Sequence, residues 1–180
     1  MNDSVIPFAL LCFTSFFTLI NPLGTMPVFL SMTTGMTESE RKRIIMKATF
    51  VAFLIMISFT VFGQFLFQVF GLSTNGFRIA GGIVIMKIGY DMLQAHYTHI
   101  KLNEDEKMHF ADDISITPLA IPMLCGPGAI ANGIVLMEDA ETLLKKAILI
   151  FIIAFVFLIT ALILRTSTKL VHFMGETGNK

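Results

Sequence analysis

The sequence predicts an all-α polytopic membrane protein, and three observations support this. Hydrophobic residues make up 54% of the 180 residues and charged residues only 14%, whereas a soluble domain has about 25% charged residues. Several apolar segments approach the roughly 20 residues that a helix needs to cross a bilayer. Two of them are interrupted near the middle by proline and glycine. We expect a single membrane domain over residues 1–180, surrounded by the lipid bilayer. The formal net charge of zero gives no indication of a nucleic-acid partner.

The first apolar segment lies between Asp3 and Glu38, and the stretch Asn-Pro-Leu-Gly-Thr at 21–25 interrupts it halfway. Proline has no amide hydrogen and clashes with the preceding turn, so a helix breaks or kinks there. Gly24 allows backbone angles that other residues avoid. Inside a bilayer, the backbone groups freed by a break must be satisfied by protein, water or a ligand. The sequence therefore predicts a discontinuous first helix.

Two uninterrupted segments follow. Thr37 and Glu40 have the spacing of a capping box, which predicts the start of a second helix whose apolar part runs from about 48 to 70. After a short turn at 71–77, a third apolar segment runs from about 78 to 97.

The fourth segment, between Asp113 and Glu138, carries the second interruption. Gly-Pro-Gly-Ala at 126–129 lies at its middle, which predicts another discontinuous helix broken at half depth. The fifth segment, at 147–164, has Thr160 as its only polar residue and is the clearest spanning signal in the chain.

The order of broken and plain segments repeats after about 105 residues. With this offset Pro22 matches Pro127, and Gly24 matches Ala129. The two breaks therefore occupy corresponding positions of an internal repeat.

We place repeat one at about 1–97 and repeat two at about 113–180, with five helices in this chain and the third helix of repeat two missing. We expect the natural protein to continue into that sixth helix. Three crossings are an odd number, so the second repeat must be inverted. Paired discontinuous helices in inverted repeats indicate a transporter's binding site.

The distribution of basic residues in short loops predicts the orientation. If all five segments cross, the N-terminus is non-cytoplasmic and the protein is a multi-pass protein of the cell (inner) membrane. A re-entrant fourth segment would change the later assignments. The cytoplasmic side would collect Arg41, Lys42, Arg43, Lys47, Lys101, Lys107, Arg165, Lys169 and Lys180, against Arg78, Lys145 and Lys146 on the other side.

The two breaks together predict a binding site for a zwitterion. The second half of each broken helix presents free amides, at 24–26 and 128–130, which attract anions. The first halves end in carbonyls, at about 18–20 and 123–125, which attract an ammonium group or a cation. Glycines let the backbone approach the ligand and leave little room for a large side chain. The predicted substrate-binding residues are Asn21, Pro22, Gly24, Thr25, Gly126, Pro127, Gly128 and Ala129. The alternative is two proline kinks that serve packing only.

Lys87 lies nine residues after Arg78, about 13 Å along a helix and near half depth. A charge there usually marks a transport pathway or an ion pair. Asp91 lies four residues further on the same face. Lys87 and Asp91 are therefore candidates for proton or ion coupling, and the alternative is a neutralised structural pair or a snorkelling lysine.

The remaining polar residues indicate no enzyme, metal site or cofactor. His96 and His99 have helical spacing and could bind a metal with His109, Asp112 or Asp113, but histidines at a membrane boundary are typically solvated. Gln64 and Gln68 share one face of the second segment and predict helix–helix hydrogen bonds. There is no G-x-x-x-x-G-K-[ST], H-E-x-x-H or G-x-S-x-G sequence, which disfavours an ATP-driven pump and a hydrolase.

The stretches 20–29 (INPLGTMPVF) and 116–130 (ITPLAIPMLCGPGAI) resemble the MarC family, which includes neutral amino acid transporters of the SnatA type. This resemblance implies six helices, inverted repeats and transport of small neutral amino acids such as glycine and alanine. Lys87 departs from the resemblance, because an apolar residue is expected there.

The expected function is a secondary transporter of small neutral amino acids. Its alternating access would rock one repeat against the other, driven by a gradient of H⁺ or Na⁺. One alternative is an ion or metal exporter or channel that uses the breaks as carbonyl ligands. Another is a membrane scaffold without transport. The sequence is also compatible with a homo-oligomer.

Overall fold

The computed structural model describes residues 5–71 and 115–175 and isolated positions between 73 and 90; for residues 117, 118 and 168–175 it describes the backbone only. The described part is helical and contains no strand. Its elements are α1 (Val5–Ile20), α2 (Pro22–Met32), α3 (Glu38–Phe70), a π-helix π1 (Ser115–Leu124), α4 (Pro127–Asp139) and α5 (Leu143–Gly175).

Three stretches of the described residues are long and apolar enough to cross a membrane: Val5–Met32, Glu38–Phe70 and Leu143–Ser167. The fourth predicted segment is divided into π1 and α4, of 10 and 13 residues, each shorter than the roughly 20 residues of a full span. The predicted all-α membrane fold, with the first and fourth helices discontinuous, is thus confirmed.

Most of the predicted third segment lies outside the described residues, and so do Asp91 and the histidines at 96, 99 and 109. Lys87 is described as an exposed helical residue. The Lys87–Asp91 pair therefore stays a prediction.

α1 carries no charged residue and buries one stripe of side chains. Phe8, Cys12, Phe16 and Ile20 are buried at intervals of four residues, which places them on one face of the helix. The helix ends because Asn21 takes left-handed backbone angles, φ 45° and ψ 62°.

α3 begins with the predicted capping box. The side chain of Glu40 accepts a hydrogen bond from the Thr37 amide (2.7 Å), and the Thr37 hydroxyl accepts one from the Glu40 amide (3.4 Å). The Arg41 guanidinium donates to the carbonyl of Thr33 (3.0 and 3.2 Å), just after α2. α3 ends at Gly71, whose φ of 64° suits glycine. The Arg41 hydrogen bonds therefore join the C-terminal end of α2, which is the second half of the broken first helix, to the start of α3.

π1 is a wide helical segment that ends at the second break. The Cys125 amide donates to the Ala120 carbonyl, five residues back, at 2.9 Å. Pro118 and Pro122 have no amide hydrogens to support the usual pattern. α4 then begins at Pro127, the first helical position, where proline is favoured.

The helices form a four-sided bundle. α3 and α5 pack against each other, α1 and α2 pack on α5, and π1 and α4 pack on α3. The two broken helices meet in the least extensive of the four seams, where α1 touches α4 and α2 touches π1. Each broken helix thus packs on a plain helix of the other predicted repeat. A twofold relation would produce this pattern, but the repeat boundaries themselves stay a prediction.

α1 and α4 run in opposite directions. The Lys145 ammonium lies 5.7 Å from the ring centroid of Phe8, and further along both helices the rings of Phe13 and Phe155 are 6.2 Å apart. α1 is therefore parallel to α5. Only residues 140–142 connect α4 to α5, and so short a connection reverses the chain direction. α4 is antiparallel to α5 and hence to α1.

Candidate functional site

The two helix breaks lie at the same level of the bundle. The side-chain amide of Asn132 in α4 donates a 3.1 Å hydrogen bond to the hydroxyl of Ser15 in α1. Ser15 is six residues before Asn21, and Asn132 is six residues after Gly126, in each case about 9 Å along a helix. Because α1 and α4 are antiparallel, equal offsets from one hydrogen bond place the two breaks side by side.

The first break satisfies most of its own backbone groups. The Asn21 side chain accepts from the Gly24 amide (3.1 Å), and the Asn21 carbonyl accepts from the Thr25 amide (3.0 Å). The Thr25 hydroxyl donates to the carbonyls of Asn21 (3.0 Å) and Ile20 (3.5 Å). The prediction that the Gly24 and Thr25 amides are free was wrong, because Asn21 acts as the N-cap of α2.

The space beside Gly24 is occupied by a side chain of the protein. A Cβ on Gly24 would overlap the side-chain amide of Asn21. The glycine therefore makes room for the capping side chain, whereas the sequence suggested room for a ligand. Two carbonyls of the first half still lack their helical donors: Pro22, four residues after Thr18, has no amide hydrogen, and the Leu23 amide makes no hydrogen bond to Leu19 among the described residues.

The second break is satisfied less completely. Gly126 is the N-cap of α4 and provides no side-chain hydrogen bond. Its carbonyl accepts from the Ile130 amide (3.1 Å), so the prediction that this amide is free was also wrong. The amides of Gly128 and Ala129 have no hydrogen-bond partner among the described residues. The N-terminus of α4 therefore keeps unsatisfied donors, as the N-terminus of an uncapped helix does.

Gly126 is held close to the other side of its break. A Cβ at Gly126 would lie 2.9 Å from the Pro122 carbonyl oxygen, which belongs to the backbone and cannot rotate away. This close approach explains why glycine is needed between π1 and α4.

The predicted site residues differ in their exposure. Gly24 and Pro127 are exposed, and Asn21 and Gly126 are half-buried. The other four, Pro22, Thr25, Gly128 and Ala129, are buried. The breaks therefore form a partly accessible seam.

A separate open groove of about 530 Å³ lies at the end of the bundle where α4 passes into α5. It contains none of the predicted site residues. Its lining residues are Val61, Gln64, Met137, Glu138, Leu143, Lys146 and Ile150.

Sequence reasoning missed the bond between Ser15 and Asn132. The available signal was their equal distance from the two breaks, inside otherwise apolar segments. The interpretation of Gln64 as a helix–helix donor is confirmed, because its side-chain amide donates to the Ile134 carbonyl of α4 at 3.4 Å. Cys12 and Cys125 are buried and free, as packing residues should be.

Comparison with known proteins identifies the family. The model of the MarC family of integral membrane proteins matches residues 6–180. The chain is 38% identical to the UPF0056 membrane protein YvbG of Bacillus subtilis (strain 168) over 92% of this chain and 80% of that protein. It is 35% identical to a UPF0056 membrane protein of Methanocaldococcus jannaschii, covering 97% of this chain and 77% of the relative. No solved structure matches. With two broken membrane helices set side by side and a family match over nearly its whole length, the chain belongs to the MarC family of integral membrane proteins.

Proposed function

We propose that this protein is a secondary transporter of small neutral amino acids of the glycine and alanine class. The observation that carries the proposal is the pair of helix breaks at one level, with the second break leaving amides that have no partner among the described residues. The energy source would be a gradient of H⁺ or Na⁺, and Lys87 and Asp91 stay candidates for coupling to it.

The directions of the half-helices favour a zwitterion. α1 ends at the break with its carbonyls, and α4 starts at the neighbouring break with its amides. The negative end of one helix dipole thus lies beside the positive end of another. An α-amino acid has an ammonium and a carboxylate only a few bonds apart, so it can satisfy both ends at once.

The two breaks would then contribute different groups. The carboxylate would bind the amides of Gly128 and Ala129, because these lack partners among the described residues and helix N-termini favour anions. The ammonium would bind carbonyls at the end of α1, including that of Thr18. The space beside Gly24 is occupied by the Asn21 side chain, and that beside Gly126 by the Pro122 carbonyl. Little room is left at the breaks for a ligand, which favours a substrate with a small side chain.

The seam between the broken helices is the natural place for alternating access. Among the four seams that the described helices form, it is the least extensive, so it can open with little loss of packing. The broken helices pack on α5 and α3, one on each. We therefore propose that each broken helix moves with the plain helix on which it packs.

The test is flux in liposomes that contain the full-length protein. Radiolabelled glycine and alanine should enter saturably when a H⁺ or Na⁺ gradient is imposed, and protein-free liposomes under the same gradients are the control. Ion flux without any amino acid would favour the ion-channel alternative. An absence of both fluxes would favour the scaffold.

A further inference from the structure

We propose that the hydrogen bond between Asn132 and Ser15 is a closed gate over the proposed substrate site between the two helix breaks. The gate lies on the side of the bundle that holds the N-terminus of α1. This inference rests on the proposed transport function. It assigns to two residues the task of blocking one of the two routes to the site.

The position of the bond fits a gate. It crosses the seam between α1 and α4, which is the seam that contains both breaks. It lies about 9 Å from each break at 1.5 Å per residue. A solute that reaches the breaks along this seam from the α1 N-terminus must pass Ser15 and Asn132.

The hydroxyl of Ser15 takes part in two hydrogen bonds, one as donor and one as acceptor. It donates to the Cys12 carbonyl of its own helix (3.1 Å) and accepts from the Asn132 amide (3.1 Å). The bond therefore needs no rearrangement of α1 to form or to open. Breaking it leaves a polar amide and a hydroxyl oxygen facing the route, where a zwitterion can replace the lost partner.

Three other hydroxyls in the spanning helices bond within their own helix. Thr14 donates to the Leu10 carbonyl (2.8 Å), Ser58 to Leu54 (2.7 Å) and Thr160 to Val156 (2.8 Å). Such bonds tie no two helices together. The Ser15–Asn132 bond joins residues 117 apart in sequence, and hydrogen bonds between membrane helices are weak enough to open during a transport cycle.

The first test measures gating without transport. Cys125 is buried at the second break, 1% exposed, and in a Cys12→Ala background it is the only cysteine left. A membrane-impermeant methanethiosulfonate is added from the side of the α1 N-terminus. Asn132→Ala and the milder Ser15→Ala should raise the labelling rate by up to about tenfold, the population shift expected from one lost hydrogen bond.

The matched control is Thr14→Ala, which removes a neighbouring exposed hydroxyl that bonds only to its own helix. It should label at the parent rate. Equal rates in Ser15→Ala, Asn132→Ala and Thr14→Ala would overturn the gate.

The second test locks the gate. Ser15→Cys and Asn132→Cys are combined with Cys12→Ala and Cys125→Ala, and a short bis-methanethiosulfonate bridges the two new cysteines through two disulfide bonds, releasing methanesulfinate. Glycine flux should stop and should return after reduction. Unchanged flux in the bridged protein would overturn the gate and leave the transport function standing. If the parent protein moves no amino acid, the transport function fails and the labelling result alone decides the gate.

Discussion

The two helix breaks have similar sequences but different chemistry. At the first, Asn21 caps the Gly24 amide and Thr25 ties the carbonyls of Ile20 and Asn21. At the second, the N-cap is Gly126 and no side chain caps α4. The first break therefore offers a ligand mainly carbonyls, whereas the second offers the uncapped amides of Gly128 and Ala129. The comparison teaches that proline and glycine mark where a helix is interrupted, and the capping residue decides what the interruption can do.

The largest expected effect concerns ligand binding at the second break. Glycine at a hundredfold excess over its dissociation constant should stabilise the parent protein by about 2.7 kcal/mol. Gly128→Val should abolish this stabilisation by placing a branched side chain where the carboxylate binds, with Gly128→Ala as the milder variant. Asn21→Gly, at the first break, should keep it. Thermal unfolding in detergent with and without glycine measures the difference, and equal losses at both breaks would contradict the distinction.

The next effect concerns the backbone contact at the second break. Gly126→Ala places a Cβ 2.9 Å from the Pro122 carbonyl, and overpacking of this kind costs about 1–3 kcal/mol. The unfolding temperature should fall accordingly. Gly82→Ala is the matched control, because no described residue lies within 4 Å of its added Cβ. It should leave stability unchanged or raise it slightly. A harmless Gly126→Ala would mean that the two sides of this break are not held together.

At the first break, two substitutions separate the cap from the backbone strain. Asn21→Ala removes a cap worth about 1 kcal/mol and also forces alanine into left-handed angles at a further cost of about 1–2 kcal/mol. Asn21→Gly removes the cap without that strain and should destabilise less. Chemical or thermal unfolding of both variants gives the order. An Asn21→Gly protein less stable than Asn21→Ala would refute the left-handed assignment.

The smallest effect tests the packing of α3 against α4. The Thr60 hydroxyl is buried without a hydrogen-bond partner among the described residues, and it lies against Gly133. Thr60→Val keeps the shape and removes the unsatisfied group, so it should stabilise by about 1 kcal/mol. Thr160→Val is the control, since its hydroxyl already donates to Val156 and its removal should give no gain. Equal unfolding temperatures for the two variants would show that the Thr60 hydroxyl is hydrogen-bonded inside the protein.

Much of the fold could be predicted from local rules. The capping box at Thr37 and the two proline breaks follow from residues within one helical turn of one another. The error over the free amides of Gly24 and Thr25 arose because proline and glycine were treated as breakers, although Asn21 stands three residues before the Gly24 amide, as an N-cap does. For the Ser15–Asn132 bond no local rule applies.

By itself, the sequence determined that the chain is a helical membrane protein, where its helices begin and break, and which side chains are apolar. These properties depend on neighbours in the chain and on the cost of placing polar groups in lipid. The tertiary structure decided that the breaks lie at one level, that each broken helix packs on a plain helix of the other predicted repeat, and that the Gly24 amide is capped whereas the amides of Gly128 and Ala129 have no partner among the described residues. These properties depend on helix direction and register across more than a hundred residues, which packing sets and local sequence does not encode.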